Sequence, residues 1–411
     1  MVPNTRKRRA VCFPSVLWLL SNRWLLLYFI FCHSFIESIR KQAYMIVDER
    51  ANNMLLLALS AGMASIDEDE TRGYVEYLLS CIDRLWLNEN QELVVQFMHK
   101  TKMVSFVDSI FPFVESCRLF KLAKLYHALV AVTAVRRSML EPVFKALKSR
   151  NVDVMPYKGV DFIYNYRSRA AHRFISDVDL IVRRDQLPLA LDVFENQGFF
   201  QAQVSKNKLS PDGQSLYVQP WASKSMAAWR NEQDIRPYIK VAKVEALQVH
   251  QEILSEYTVI YLSGQPMVIA YIDLEFSVLP GGDELDVWRR TRNARVAGNA
   301  YPGLCRELYV CSLLQRACSV SNILEGAAVY PFVDALRVLA AGGIDWDYLW
   351  TLAQRYQLVV VVSRGLIEVA GMVRSAIPAH VFSRCRKNLQ AHEASHVPPL
   401  LEWLGTINAV R

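Results

Sequence analysis

Asp177 and Asp179 alternate with Val178, Leu180, Ile181 and Val182. On a strand, residues two apart point to the same side. The apolar neighbours predict a buried strand with two carboxylates projecting from its start. Two unpaired buried anions this close repel and raise each other's pKa, so the arrangement calls for a cation between them. A hard divalent ion, magnesium or manganese, suits carboxylate oxygens, with phosphate oxygens and water filling the remaining positions. The competing reading of the same letters is a solvated turn, in which Ser176–Asp177 caps a neighbour and Asp179 faces water. Three surrounding features favour the metal–nucleotide reading. Lys158–Gly159 is expected to end the preceding strand, where a backbone without a side chain lets a phosphate approach. Arg173 lies just ahead of the acidic pair and can make charge-assisted contacts to phosphate. The alternation Tyr271–Ile272–Asp273–Leu274–Glu275–Phe276 supplies a further strand-borne carboxylate, Asp273, far along the chain.

The elements that must position these residues follow from periodicity. Residues 41–150 carry apolar residues at three- and four-residue spacing and read as helices. In the longest pattern Leu122, Tyr126, Leu129, Leu140, Phe144 and Leu147 share one stripe, with Arg136 and Arg137 nearer its edges. Pro142 is expected to kink or restart that helix, and Asn151 to turn the chain out of it. From Val152 the period changes: strand, short helix, the Asp177–Asp179 strand, then a helix from Asp185 to Gln197 stopped by Gly198. A polar, irregular stretch (Ser205 to Arg236) precedes further strands, the last two joined as a hairpin through Ser263–Gly264–Gln265–Pro266. Helices resume from Leu285, with Pro331 in a first turn, Gly342–Gly343 ending that helix and Asp345 capping the next. The four valines from Val359 favour a strand, but segment length and later spacing make it a helix. The organisation is therefore a segment 1–40, a helical region 41–150, an α/β core 151–283 and a helical region 284–411. The fold class is α+β, a mixed sheet flanked by helical regions.

The order strand–Lys-Gly–helix–Arg-x-x-Ser-Asp-x-Asp-Leu–strand, then a distant acidic strand, resembles the DNA-polymerase-beta-type nucleotidyltransferase superfamily. More closely it resembles the bacterial uncharacterised nucleotidyltransferases, on Lys158, Gly159, Arg173, Ser176, Asp177, Asp179, Leu180 and Val182. The family's later Asp-Leu-His strand matches Asp273–Leu274, with Glu275 where the histidine would stand. Its carboxy-terminal helical part resembles Val333–Asp334–Ala335–Leu336 and Ile344–Asp345–Trp346. The superfamily's usual Gly-Ser loop is absent and Lys-Gly stands in its place. The resemblance implies transfer of NMP, in particular AMP, from an NTP to a hydroxyl or similar acceptor on a protein or small molecule. It implies a nucleotide held by Lys158, Gly159, Arg173 and Ser176, with Asp177, Asp179 and Asp273 as metal ligands and catalytic residues. Asp177 and Asp179 would hold the ion that bridges the phosphates, and Asp273 would complete a second metal site. Such ions sit ~3.5–4 Å apart and clamp an in-line displacement. Asp273 would take the acceptor's proton.

Other patterns compete. Val249 to Ile253 offers Glu252 as an alternative third acid. His392 and His396 match H-E-x-x-H in letters, but two prolines follow and no apolar helical pattern flanks them, so a zinc hydrolase is the minor alternative. A non-catalytic regulatory or scaffolding protein on the same fold is the alternative outside enzymology.

Composition limits the partners. Hydrophobic residues make up 52% of the 411 and charged residues 21%, which excludes a disordered or coiled-coil chain. Arg6, Lys7, Arg8 and Arg9 supply four of the seven net positive charges, so the rest of the chain does not describe a nucleic-acid-binding surface. The eight cysteines form no C-x-x-C and no zinc spacing, which fits a reducing cytoplasm. Residues 11–36 are apolar except around Ser21, Asn22 and Arg23. They allow a membrane anchor, a peripheral helix, or a true start at Met45 or Met54.

Overall fold

The computed structural model describes residues 49–66, 69–166, 174, 177–209, 216–220, 237–244, 259–262, 265–279, 282–318, 329–373 and 376–391. The apolar segment 11–36, Arg173, Ser176, Glu252, His392 and His396 lie outside these residues. Among those described, no helix is long and apolar enough to cross a membrane.

The amino-terminal part is helical, as its periodicity predicts: α1 (Glu49–Ala64), α2 (Asp69–Ser80), α3 (Arg84–Glu89), α4 (Gln91–Lys100), a 3-10 stretch over Met103–Ile110, and α5 (Phe111–Ser116). The long α6 (Phe120–Ser149) buries Leu122, Tyr126, Leu129, Leu140, Phe144 and Leu147. It runs through Pro142 without restarting. One further expectation changes here and one holds. Arg136 is not at the edge of the stripe but fully inside, 1% exposed. Asn151, at φ 55, makes the turn into the sheet.

A seven-stranded mixed sheet follows, in the order β1-β2-β7-β5-β3-β4, with β6 also paired to β7. Its strands are β1 (Val154–Tyr157), β2 (Val178–Val182), β3 (Phe200–Leu209), β4 (Leu216–Pro220), β5 (Tyr238–Lys243), β6 (Val259–Leu262) and β7 (Gln265–Glu275). Helix α7 (Lys158–Asn165) joins β1 to β2's side of the sheet, and α8 (Leu187–Asn196) follows β2. Strand β7 runs parallel to β2 and antiparallel to β5 and β6. The β6–β7 hairpin is the one the Gly-Pro turn signals predict. Ser205 to Arg236 is not wholly irregular: β3 and β4 pair antiparallel from Ala202 to Leu209. Polar composition concealed them, because a period-two apolar pattern arises only where one face is buried.

Past the sheet lie α9 (Glu284–Arg289) and a hairpin of β8 (Thr291–Val296) and β9 (Asn299–Leu304). The sequence reading placed only helices here. Ala297 at φ 50 and Gly298 at φ 81 form a two-residue turn with both dihedrals positive, the twist-compatible hairpin turn. Ala at its first position, in place of Asn or Asp, hid it. The helices α10 (Arg306–Ala317), α11 (Val329–Ala340), α12 (Trp346–Arg355), α13 (Val359–Met372) and α14 (Ala379–Ala391) complete the chain. Gly342 and Gly343, both at positive φ, end α11's run, and the Asp345 side chain accepts from Tyr348 N to cap α12. The valine run is helical, as expected. Burial of its face, with Val362, Leu366 and Val369 all at 0% exposure, overrides the strand preference of valine. The fold is α+β.

Candidate active site

Three segments converge where β1 ends and β2 begins. Strand β2 is buried along its whole length, so only its first residues can offer side chains to a cleft. Its parallel pairing to β7 sets Asp179 opposite Asp273 and Ile181 opposite Glu275. Asp177, two residues ahead of Asp179, shares its face. Carboxylate oxygens of Asp177, Asp179 and Asp273 all lie within 4.8 Å of one another. The separation of nearly a hundred residues between Asp179 and Asp273 is thus closed by one strand pair.

Strand β1 delivers the cation. It stops at Tyr157, which pairs with Asp179, and Lys158 begins α7 instead of ending the strand. Lys158 takes φ 50, a left-handed backbone uncommon for a residue with a side chain. Its Nζ donates to Asp179 Oδ1 at 2.5 Å and to Glu275 Oε1 at 2.6 Å. The backbone departure falls on Lys158, not Gly159. Around Gly159 only the Asp177 carbonyl would lie within 4 Å of an added Cβ, at 3.8 Å, so no protein atom crowds this stretch of backbone.

The electrostatics follow from burial. Asp179 is 4% exposed, and burial, then the charge of Asp177, pushes its carboxyl up to about 8 against the pull of Lys158. For Lys158 burial acts downward, but Asp179, Tyr157 and Glu275 together hold its ammonium above the ordinary lysine value. Burial lowers the Arg136 guanidinium to about 9, with Asp177 pulling it back up. Arg136 reaches the sheet from α6, its Nε donating to Ile269 O at 2.9 Å. From the other side, α10 brings Arg316, whose guanidinium interacts with Asp179 and Glu275.

Arg136, Arg316 and Glu275 are the residues sequence reasoning did not place in the site. Arg136 and Arg316 each sit on the buried face of a helix, and a basic residue on such a face was the available signal. Glu275 was visible as the second acid of Asp273–x–Glu275, but only the structure shows that it holds Lys158. The first two turns of α10 are linked to the same spot. Tyr309 Oη donates to Lys158 O at 3.4 Å, and Ser312 Oγ lies 2.5 Å from Tyr157 Oη.

An oxygen-only donor set under mutual repulsion is what a hard divalent cation fits. The three aspartates can therefore hold such an ion, whose binding would relieve the strain that now drives Asp179 toward its neutral form.

A model of the uncharacterised nucleotidyltransferase family matches residues 119–374. That span runs from the start of α6 to the end of α13 and contains the whole carboxylate cluster. No curated protein and no solved structure matches the chain. With well over half of its length described by that family's model, the chain belongs to the uncharacterised nucleotidyltransferases.

Proposed function

We propose that the protein is a metal-dependent nucleotidyltransferase that moves an NMP, in particular AMP, from an NTP to a hydroxyl on a protein or small molecule. The observation that carries this is the convergence of Asp177, Asp179 and Asp273 within 4.8 Å, beside Lys158. Magnesium or manganese, held by the three aspartates, would neutralise phosphate charge at the α-phosphorus. Asp273, half-buried on the more exposed side of the pair, accepts the proton of the attacking hydroxyl. The hydroxyl oxygen bonds to the α-phosphorus as the bond to the bridging oxygen breaks, and pyrophosphate leaves with that electron pair. Lys158 turns from Glu275 toward the triphosphate, while Arg316 keeps a positive charge near Asp179 and Glu275. Arg173 and Ser176 contact the nucleotide from the segment before Asp177. The free thiols at Cys81, Cys117, Cys305, Cys311, Cys318 and Cys385 support a reducing, cytoplasmic setting.

One observation favours a second reading, a non-catalytic regulator: Lys158 already gives Asp179 a cation. The test is mass spectrometry of the full chain incubated with each NTP and magnesium, with protein and small-molecule extract as acceptor source. A nucleotide adduct with pyrophosphate release, absent in Asp177→Asn/Asp179→Asn, supports transfer. Absence of both products with every NTP leaves the regulator.

A further inference from the structure

Helix α7 carries Lys158 at one end and Asn165 at the other, about 10 Å away at the rise of an α-helix. The Asn165 end opens on a cleft of about 740 Å³. Arg289, Arg290, Arg292 and Arg306 line it, with Glu307 the single lining carboxylate. No member of the Asp177–Asp179–Asp273 cluster lines it, nor does Lys158.

The four guanidiniums are not equally committed. Arg292 pairs with the buried Asp161 and donates its Nε to Leu304 O. Arg290 pairs with Asp345 at 2.7 Å. Arg289 stands 3.5 Å from Asp286, a carboxylate that also takes Arg355 and the Tyr356 hydroxyl. Among the described residues Arg306 makes no ion pair with a carboxylate. Its Nη1 donates to Gly342 O at 2.5 Å, and its Nε is buried with no acceptor.

A second donor is unspent beside it. Tyr166 is 8% exposed and lines the cleft, its main chain fixed by Arg337 Nη2 donating to Tyr166 O at 2.8 Å. The Tyr166 hydroxyl lies against Arg306, a group that only donates, so its own proton has no acceptor. A buried donor without an acceptor loses its hydration with nothing in exchange. The Tyr166 proton, left over beside a group that can only donate to the phenol oxygen, describes in this basic cleft a place for an acceptor-only ligand.

Backbone geometry adds to this. Helix α10 starts at Arg306, so its first-turn amides and the positive end of its dipole face the same space. Its N-cap residue is Cys305, whose thiol burial pushes up to about 12, so it stays neutral and contributes no anion. A metal ion is excluded by the guanidiniums, and an apolar ligand by the polar lining. Planar guanidiniums pair bidentately with phosphate oxygens, and the volume falls in the range of small-ligand sites.

We propose that this cleft binds a small phosphate-bearing anion at a site separate from the carboxylate cluster. The inference does not rest on the nucleotidyl-transfer reading.

The probe is inorganic pyrophosphate in EDTA, titrated calorimetrically into the full chain. Without metal the aspartate cluster repels this anion, so binding reports on the arginines. One site is expected in the wild type, retained in Asp177→Asn/Asp179→Asn. Arg290→Ala and Arg306→Gln should each weaken it about tenfold or more, as the loss of a charge-assisted contact does. Arg290 is solvent-exposed, so its replacement keeps the fold even if Arg306→Gln melts early. Citrate should bind at least about tenfold more weakly than pyrophosphate, because pyrophosphate concentrates its charge on two adjacent phosphoryl groups while citrate spreads its carboxylates over a longer carbon skeleton. No binding in EDTA, affinity unchanged in Arg290→Ala, or citrate equal to pyrophosphate would each overturn the assignment.

Discussion

Asp179 and Asp273 stand opposite each other on adjacent parallel strands, so the ladder of β2 and β7 sets their spacing. Side-chain packing has little freedom to alter it. A site built this way should keep its geometry when the carboxylates are changed, which separates loss of function from loss of fold. Asp177→Asn/Asp179→Asn should therefore remain folded and, in chelator, melt higher than wild type, because repulsion at Asp179 is relieved. Added magnesium should raise the melting temperature of the wild type alone, since a ligand stabilises only the state that binds it. Differential scanning calorimetry with and without magnesium checks both points. Equal magnesium shifts in the two proteins would remove the aspartates as ligands.

The raised Asp179 carboxyl gives a pH dependence with a definite sign. Its folded value, about 8, exceeds that of an unfolded aspartate, so the folded state binds the proton more tightly. Metal-free stability is therefore full below about pH 4 as far as this group is concerned, and falls as pH rises towards 8. Within that window each pH unit costs up to about 1.4 kcal/mol. Urea unfolding in EDTA at successive pH values measures the slope, and saturating magnesium should flatten it. A metal-free stability that rises from pH 5 to 8 in the wild type but not in Asp179→Asn would contradict the assignment.

Arg136 crosses from α6 to the Ile269 carbonyl and interacts with Asp177. Arg136→Met fills the volume but strands that carbonyl and removes the cation under the cluster. Unfolding free energy should drop by roughly 1–3 kcal/mol, the cost of an unmade buried hydrogen bond to a charged group. Magnesium should bind more tightly in this variant, because one competing positive charge is gone.

How far the sequence carried these conclusions depended on whether a local pattern reported a buried face. The β2 and β7 strands were legible because their apolar alternation reflects burial on the sheet, and the same alternation exposed Asp177, Asp179 and Asp273. The β3–β4 pair and the β8–β9 hairpin were not, because neither shows a sustained apolar alternation and the Ala297–Gly298 turn carries only one of the usual turn residues. Arg136 and Arg316 showed in the sequence only as basic residues on largely apolar helix faces, and their place in the site was hidden for a different reason. Their partners in the site lie at least 41 residues away in sequence, and no local spacing encodes a contact made through the tertiary fold.

That hairpin turn gives a prediction about the fold alone. Gly298 has φ 81, and nothing within 4 Å of it would meet an added Cβ. Gly298→Ala thus changes only backbone preference, and should destabilise by about 1 kcal/mol. A change in magnesium binding in this variant would show that the hairpin communicates with the cluster.

The Lys158–Glu275 contact separates a positioning role from a merely structural one. Glu275 pushes the Asp179 carboxyl up and Lys158 pulls it down. Glu275→Gln should therefore move the metal-free pH transition of Asp179 to lower pH, and Lys158→Met should move it higher. Both variants lose a hydrogen bond to a charged partner and should be less stable by roughly 1–3 kcal/mol at neutral pH. Stability alone cannot tell them apart; the opposite displacement of the transition can. Carbon-detected NMR titration of the Asp179 carboxyl reads it directly. In a transfer assay Lys158→Met should raise KM for NTP, because Lys158 is the cation that leaves Glu275 for the triphosphate. Glu275→Gln should lower that KM by freeing Lys158 before the nucleotide arrives. Displacement of the transition in the same direction by both substitutions would mean that Lys158 and Glu275 act on Asp179 only through packing, and the role of Lys158 as a mobile phosphate contact would fall with it.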